Sequence, residues 1–172
     1  APLYHERAMS LSFWLPPIVW MLIIISLSSG HFGSEQTGSI LGPLVRWIAP
    51  GMTEAQIAAV HLAVRKLAHL AEFAVLGVLW LRVFAGGRGL SPGAATTWAL
   101  AICVAWAVVD ESLQTLVPTR TGSVVDIGID AVGALIGLAI ALAAWRVRAR
   151  LPWRLRSSGG DRACRADRHR TG

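Results

Sequence analysis

The chain has 172 residues, of which 54% are hydrophobic and 15% charged, with a mean hydropathy of +0.54 and a formal net charge of +6. A soluble domain of this size carries about a quarter charged residues. The low charge and the long apolar blocks therefore exclude an ordinary soluble domain and predict an all-α integral membrane protein, a four-helix bundle. Cys103 lies in an apolar run and Cys164 in a polar tail, so the cysteines offer neither a disulfide framework nor a metal motif.

Residues 1–10 form an N-terminal segment that includes Arg7. The first apolar block, about 11–27, contains Pro16-Pro17, which predicts a helix that starts or kinks there. No small-residue cleavage site follows directly, so the block reads as a retained helix rather than a signal peptide. Ser28–Gly38 is rich in turn formers, Ile40–Ala49 is amphipathic and carries Trp47, and Pro50-Gly51 marks a break. Thr53 and Gln56 have the spacing of a capping box, opening a helix that feeds the second block, about 67–84. The stretch between the first two blocks thus predicts an outer loop with amphipathic, helical structure. Gly86–Gly93 reads as a tight linker, and the third and fourth blocks cover about 94–109 and 124–145. Each block approaches the ~20 residues that cross a ~30 Å hydrocarbon layer. Residues 11–145 make one transmembrane domain, and 146–172 a basic tail whose composition after Ser157 predicts disorder. Trp14, Trp20, Trp47, Trp145 and Trp153 fall near expected membrane interfaces, where indoles are favoured.

Nine of the sixteen basic residues follow residue 145. Beside a membrane helix, such a tail sets topology and meets anionic lipid, so nucleic acid is not an expected partner. The positive-inside rule makes the tail cytoplasmic. Four crossings then put the N-terminus there too, with the Arg82 and Arg88 linker on the same side, in a multi-pass protein of the cell membrane. Arg65, Lys66 and Arg120 fall on the outer side, where topology does not account for them.

The ionisable residues converge on that outer side. Lys66, His69 and Glu72 recur at three-residue steps along one side of the second membrane helix. Asp110 closes the third, and Glu111 and Gln114 share a face if that helix continues. Asp126, Asp130, Gly133 and Gly137 make one stripe on the fourth, its glycines a GxxxG pair that permits close helix approach. A carboxylate at membrane depth costs at least ~2.5 kcal/mol, so these groups need partners, and the cations at hand are Arg65, Lys66, His69 and Arg120. Arg120 with Asp126 is the pair expected across the last loop. The alternative is a set of structural salt bridges tying three helices together.

At these residues the sequence resembles the VanZ-like family. The resemblance rests on Lys66-x-x-His69-x-x-Glu72-Phe73 and on Asp110-Glu111-x-x-Gln114. It continues through Pro118-x-Arg120-x-Gly122-Ser123-x-x-Asp126-x-x-x-Asp130-x-x-Gly133-x-x-x-Gly137 and includes the turn SLSSGHFGSEQTG after the first block. The chain departs from the pattern at Asp130, where the family usually has asparagine, and at Phe73, where it often has tyrosine. The resemblance implies a membrane protein of the cell envelope with no assigned molecular activity. The member that names the family is linked to low-level resistance to teicoplanin, an acylated glycopeptide.

Two functional readings follow. In the first, the outer-leaflet cluster binds a lipid headgroup, a lipid-linked envelope precursor or a lipoglycopeptide, with Lys66, His69, Glu111, Gln114, Arg120, Asp126 and Asp130 as contacts. In the second, the protein is a membrane enzyme acting on a lipid-linked or phosphorylated substrate. His69 is then the general acid/base, oriented by Glu72 or Asp110, while Asp126 or Glu111 binds a divalent metal or activates water. No nucleophile, metal-ligand or cofactor motif is evident. A proton-coupled carrier is disfavoured, because Val75–Leu81 and Ala134–Ala144 hold no ionisable residue and four helices are few unless the chain forms a homo-oligomer. The orientation is checked by cysteine labelling of intact cells in a cysteine-free background. Positions within Gly33–Gly38 are expected to react from outside and those within Arg154–Gly172 to be protected, and a labelled tail would overturn the topology.

Overall fold

The computed structural model describes residues 11–28, 34–116 and 122–150, all helices and short connections with no strand among them. Helix α1 is Leu11–Ser28, α2 is Ser34–Ile48, α3 is Glu54–Leu81, α4 is Pro92–Gln114 and α5 is Val124–Arg150. Among the described residues, four stretches are long and apolar enough to cross a membrane: α1, α3 with its extension to Gly87, α4, and α5 as far as Arg148. By their contacts the residues divide into a unit reaching Ala139 and a second beginning at Ile140. The described part of the second is the basic end of α5, helical to Arg150, so the helix outlasts its expected end at 145. Arginine is a good helix former, and nothing in Arg146–Arg150 breaks the turn.

Local chemistry sets the helix ends. At the start of α3, the Gln56 N–H donates to Thr53 Oγ1 at 3.4 Å and the Thr53 N–H to Gln56 Oε1 at 2.8 Å. This is the expected capping box, and the helix it opens runs without interruption into the second membrane block. At the start of α4, Ser91 Oγ accepts from the Ala94 N–H, and Pro92 occupies the first turn, where its missing N–H costs nothing. The expected linker at Gly86–Gly93 is shorter than its composition suggests, because Arg82–Gly87 continues α3 as a π-helix. The glycines allow this. A Cβ on Gly86 or Gly87 would come within 3.1 or 3.2 Å of the Phe13 ring, and Gly89 turns the chain at φ +66°. Helix α1 runs through Pro16-Pro17 from Leu11 instead of starting there, as membrane helices tolerate when neighbours take up the freed backbone groups.

Helix α3 is central: it packs against α1, α2 and α4, and α1 also meets α4. Helix α4 presents a ladder of small residues, Ala95, Ala99, Cys103 and Ala107, all fully buried. Helix α5 meets α3 through Gly133 and Gly137, where a Cβ would collide with the carbonyl oxygens of Leu70 and Ala74. From the other side, a Cβ on Gly77 would stand 3.0 Å from the Ala134 carbonyl. Many large apolar side chains face outward instead, among them Leu22, Leu67, Trp98, Val109 and Val132. Such a surface suits lipid rather than water. Helix α2 shows the expected amphipathic character: Leu44, Trp47 and Ile48 are exposed, and Arg46 pairs with Glu54 of α3 at 2.7 Å.

Gly137→Leu is expected to destabilise the protein by roughly 1–3 kcal/mol or more, since the added bulk meets backbone and not a movable side chain. Val132→Leu, on the outward face, is expected to stay within about 0.5 kcal/mol of wild type. Thermal melts of the two variants in detergent decide it, and an unchanged Gly137→Leu melt would mean that the stripe is not buried.

Candidate functional site

Helices α3 and α5 run parallel at the glycine contact, and the polar residues continue its register. One to two turns before Leu70 meets Gly133, Lys66 Nζ reaches Asp126 Oδ1 at 3.0 Å. Between these levels His69 Nδ1 stands 3.4 Å from Asp130 Oδ1, close enough for an ion pair but outside hydrogen-bond geometry. Helix α4 arrives antiparallel and contributes its last turns. Asp110 Oδ2 accepts from Gln114 Nε2 at 3.2 Å and from Ser28 Oγ, the last residue of α1, at 3.0 Å. Gln114 Oε1 in turn accepts from an Arg65 guanidinium nitrogen at 3.0 Å. A continuous polar chain, Arg65–Gln114–Asp110–Ser28, therefore crosses three helices.

Burial is deep. Asp130 is 0% exposed and Asp110 1%, with Glu111 and Gln114 also buried. One Glu111 oxygen accepts from the Ser123 backbone N–H, and Gly122 stands against Thr115 and the Glu111 carbonyl. Glu111 thus fastens the start of α5 to the end of α4. Glu72 is half-buried, three residues past His69 on the same side of α3. Its backbone carbonyl accepts from the Trp20 indole at 2.9 Å, so Trp20 joins two helices rather than lying free at an interface. Leu62, Arg65, Lys66, His69, Asp126 and Ile129 line a half-open cleft between α3 and α5. His69, half-buried, belongs both to this cleft and to a trio with buried Asp110 and Asp130, whose candidate ligand atoms lie within 4.8 Å of one another.

Helix length locates the cluster in depth. Counting ~20 residues, or ~30 Å, back from Gly87 along α3 reaches the turn that holds Lys66 and His69. The same count forward from Pro92 reaches Asp110–Gln114. The polar groups lie where these helices would leave the hydrocarbon layer, all at one end.

A family model for VanZ/LLP1 matches residues 13–146. The chain belongs to the VanZ/LLP1 family. The match spans every residue of the site described above and most of each of the four long apolar helices, so this is a VanZ-like multi-pass membrane protein. No curated protein and no solved structure matches it.

In this VanZ/LLP1 chain, Lys66, His69, Asp110, Gln114, Asp126 and Asp130 come together at one end of the helices, and Glu111 lies at the adjoining connection. Arg120, with Pro118, lies outside the described residues, and the partner seen for Asp126 is Lys66. Two contacts are absent from the sequence reading. Ser28 could have been found from topology, since α1 ends on the side where α4 ends. The Arg65–Gln114 bond has no such signal, because it depends on how α3 and α4 are rotated. A double-mutant cycle on Lys66→Met and Asp126→Asn is expected to show coupling of about 1 kcal/mol, between exposed and buried ion pairs. The losses of the two single variants would then sum to about 1 kcal/mol more than the loss of the double variant in a detergent melt. Additivity within ~0.3 kcal/mol would show that the pair does not interact.

Proposed function

We propose that the cleft between α3 and α5 binds the anionic headgroup of a membrane lipid, or of a lipid-linked envelope precursor, at the outer leaflet of the cell membrane. Both termini are then cytoplasmic. The observation that carries this reading is the adjacent pair of half-buried cations, Arg65 and Lys66, in the wall of a cleft that also offers apolar Leu62 and Ile129. A guanidinium has five N–H donors and an ammonium three. The bonds to Gln114 and Asp126 leave donors on both for a phosphate or carboxylate. Apolar side chains beside them suit the first part of an acyl chain. A lipoglycopeptide such as teicoplanin combines the same two chemistries, which agrees with the resistance attached to the family's name.

One observation favours a second reading, that of an enzyme acting on a lipid-linked or phosphorylated substrate. His69 lines the cleft with Asp130 immediately behind it, and an imidazole so placed can serve as general acid or base. The readings separate by variant. Wild-type protein in nanodiscs is expected to retain phosphatidylglycerol over phosphatidylcholine in native mass spectrometry. Arg65→Gln with Lys66→Gln is expected to weaken that retention about tenfold or more, the loss of at least one charge-assisted hydrogen bond. His69→Gln is expected to leave it intact while abolishing turnover if the protein is an enzyme. Undiminished retention by the folded double variant would overturn the headgroup reading.

A further inference from the structure

We propose that His69, Asp110 and Asp130 bind one divalent first-row transition-metal ion, of the kind represented by Zn2+ and Mn2+. The inference goes beyond the headgroup reading and does not depend on what fills the cleft. Each ligand comes from a different helix, His69 from α3, Asp110 from α4 and Asp130 from α5, and their candidate ligand atoms lie within 4.8 Å of one another.

Asp130 supplies the independent observation. It is fully buried, yet neither carboxylate oxygen has a hydrogen-bond partner among the described residues, and the facing His69 Nδ1 has none either. Buried polar atoms are nearly always hydrogen-bonded, and three that are not meet at one point, two of them facing each other only at ion-pair distance, which calls for something between them. The 3.4 Å from Nδ1 to Oδ1 fits that role. Two ligands on a tetrahedral ion with bonds of ~2.0–2.1 Å stand about 3.3–3.4 Å apart.

Charge points the same way. A coordinating imidazole is neutral, so the ligand set carries two negative charges that one divalent ion cancels. Among the described residues, Lys66 pairs with Asp126 and Arg65 donates to Gln114, and neither bonds Asp130. Asp110 has the outer support typical of a ligating carboxylate, with Ser28 and Gln114 both donating to Oδ2. A set of one imidazole and two carboxylates selects against Ca2+, which takes six to eight oxygens, and favours ions that accept nitrogen. Three protein ligands leave coordination positions for water or for a phosphate oxygen.

The test uses the full chain in detergent, stripped with EDTA, loaded with Zn2+ and desalted. Metal content is read by mass spectrometry and stability by thermal melt. Cys164 and His169 in the tail can also take Zn2+, so the decisive quantity is a difference between variants. Wild type is expected to retain about one more ion per chain than Asp130→Asn, whose side chain has the same shape. Zn2+ is expected to raise the melting temperature of wild type and not of this variant. Co2+ is expected to give a visible d–d band in wild type that His69→Gln abolishes, and Ser28→Ala to weaken binding about tenfold through Asp110. The cleft variant Arg65→Gln with Lys66→Gln is expected to keep the ion, so loss of lipid retention and loss of metal are distinguishable. Equal retention by wild type and Asp130→Asn, or a wild-type melt that Zn2+ does not shift, would overturn the proposal.

Discussion

At Gly133 and Gly137 the backbone of α5 lies directly on that of α3, with the carbonyls of Leu70 and Ala74 filling the space that side chains would take. In lipid no hydrophobic force drives helices together, so close packing of small residues carries the association. Because the two helices run parallel and both step by about four residues per turn, one such contact fixes the next. Moving back along both helices from Leu70 and Gly133 brings His69 to Asp130 and then Lys66 to Asp126. The charged pairs thus take their spacing from the glycines, and the site is positioned by a part of the interface that holds no polar side chain.

The same economy governs where the polar groups are. Each buried carboxylate must be balanced in a medium that provides no water, and the cost falls when several helices share it. Gln114 shows how: its amide accepts from Arg65 and donates to Asp110, passing part of one charge to another across two helices. At the opposite end the helices meet through aromatic and small residues. Trp80 stacks on Phe84 with centroids 5.6 Å apart, and the Arg82 guanidinium lies over the Phe13 ring at 5.3 Å. One end of the membrane domain is thus built of polar groups shared between helices, and the other is closed by rings.

Much of this is legible in the sequence because its causes are periodic. Four apolar blocks announce four crossings, and Thr53 with Gln56 announces the start of α3. The spacing of Asp126, Asp130, Gly133 and Gly137 puts them on one face whatever their neighbours do. Partner choice is less legible. That Lys66 meets Asp126 follows from the rotation of α3 about its own axis, a quantity no local pattern encodes. The trio His69, Asp110 and Asp130 is hidden for the same reason. Its members are 41 and 20 residues apart in the chain and share no helix, so no motif of fixed spacing can reveal them. The continuation of α3 as a π-helix through Gly87 is equally obscured, because glycines usually signal a turn and here make room for Phe13.

Helix α1 meets its neighbours along one face. Phe13 lies under Arg82, Trp20 donates to the Glu72 carbonyl and Ser28 donates to Asp110. These residues are separated by seven and eight positions, about two turns each, so they share one face of the helix with buried Pro17 and Ile24. A rotation of α1 by one residue, about 100°, would carry all three off their partners together. The helix therefore behaves as a key with three teeth cut on one edge. It is engaged at every level or at none, and the hydroxyl that supports Asp110 is the tooth at its tip.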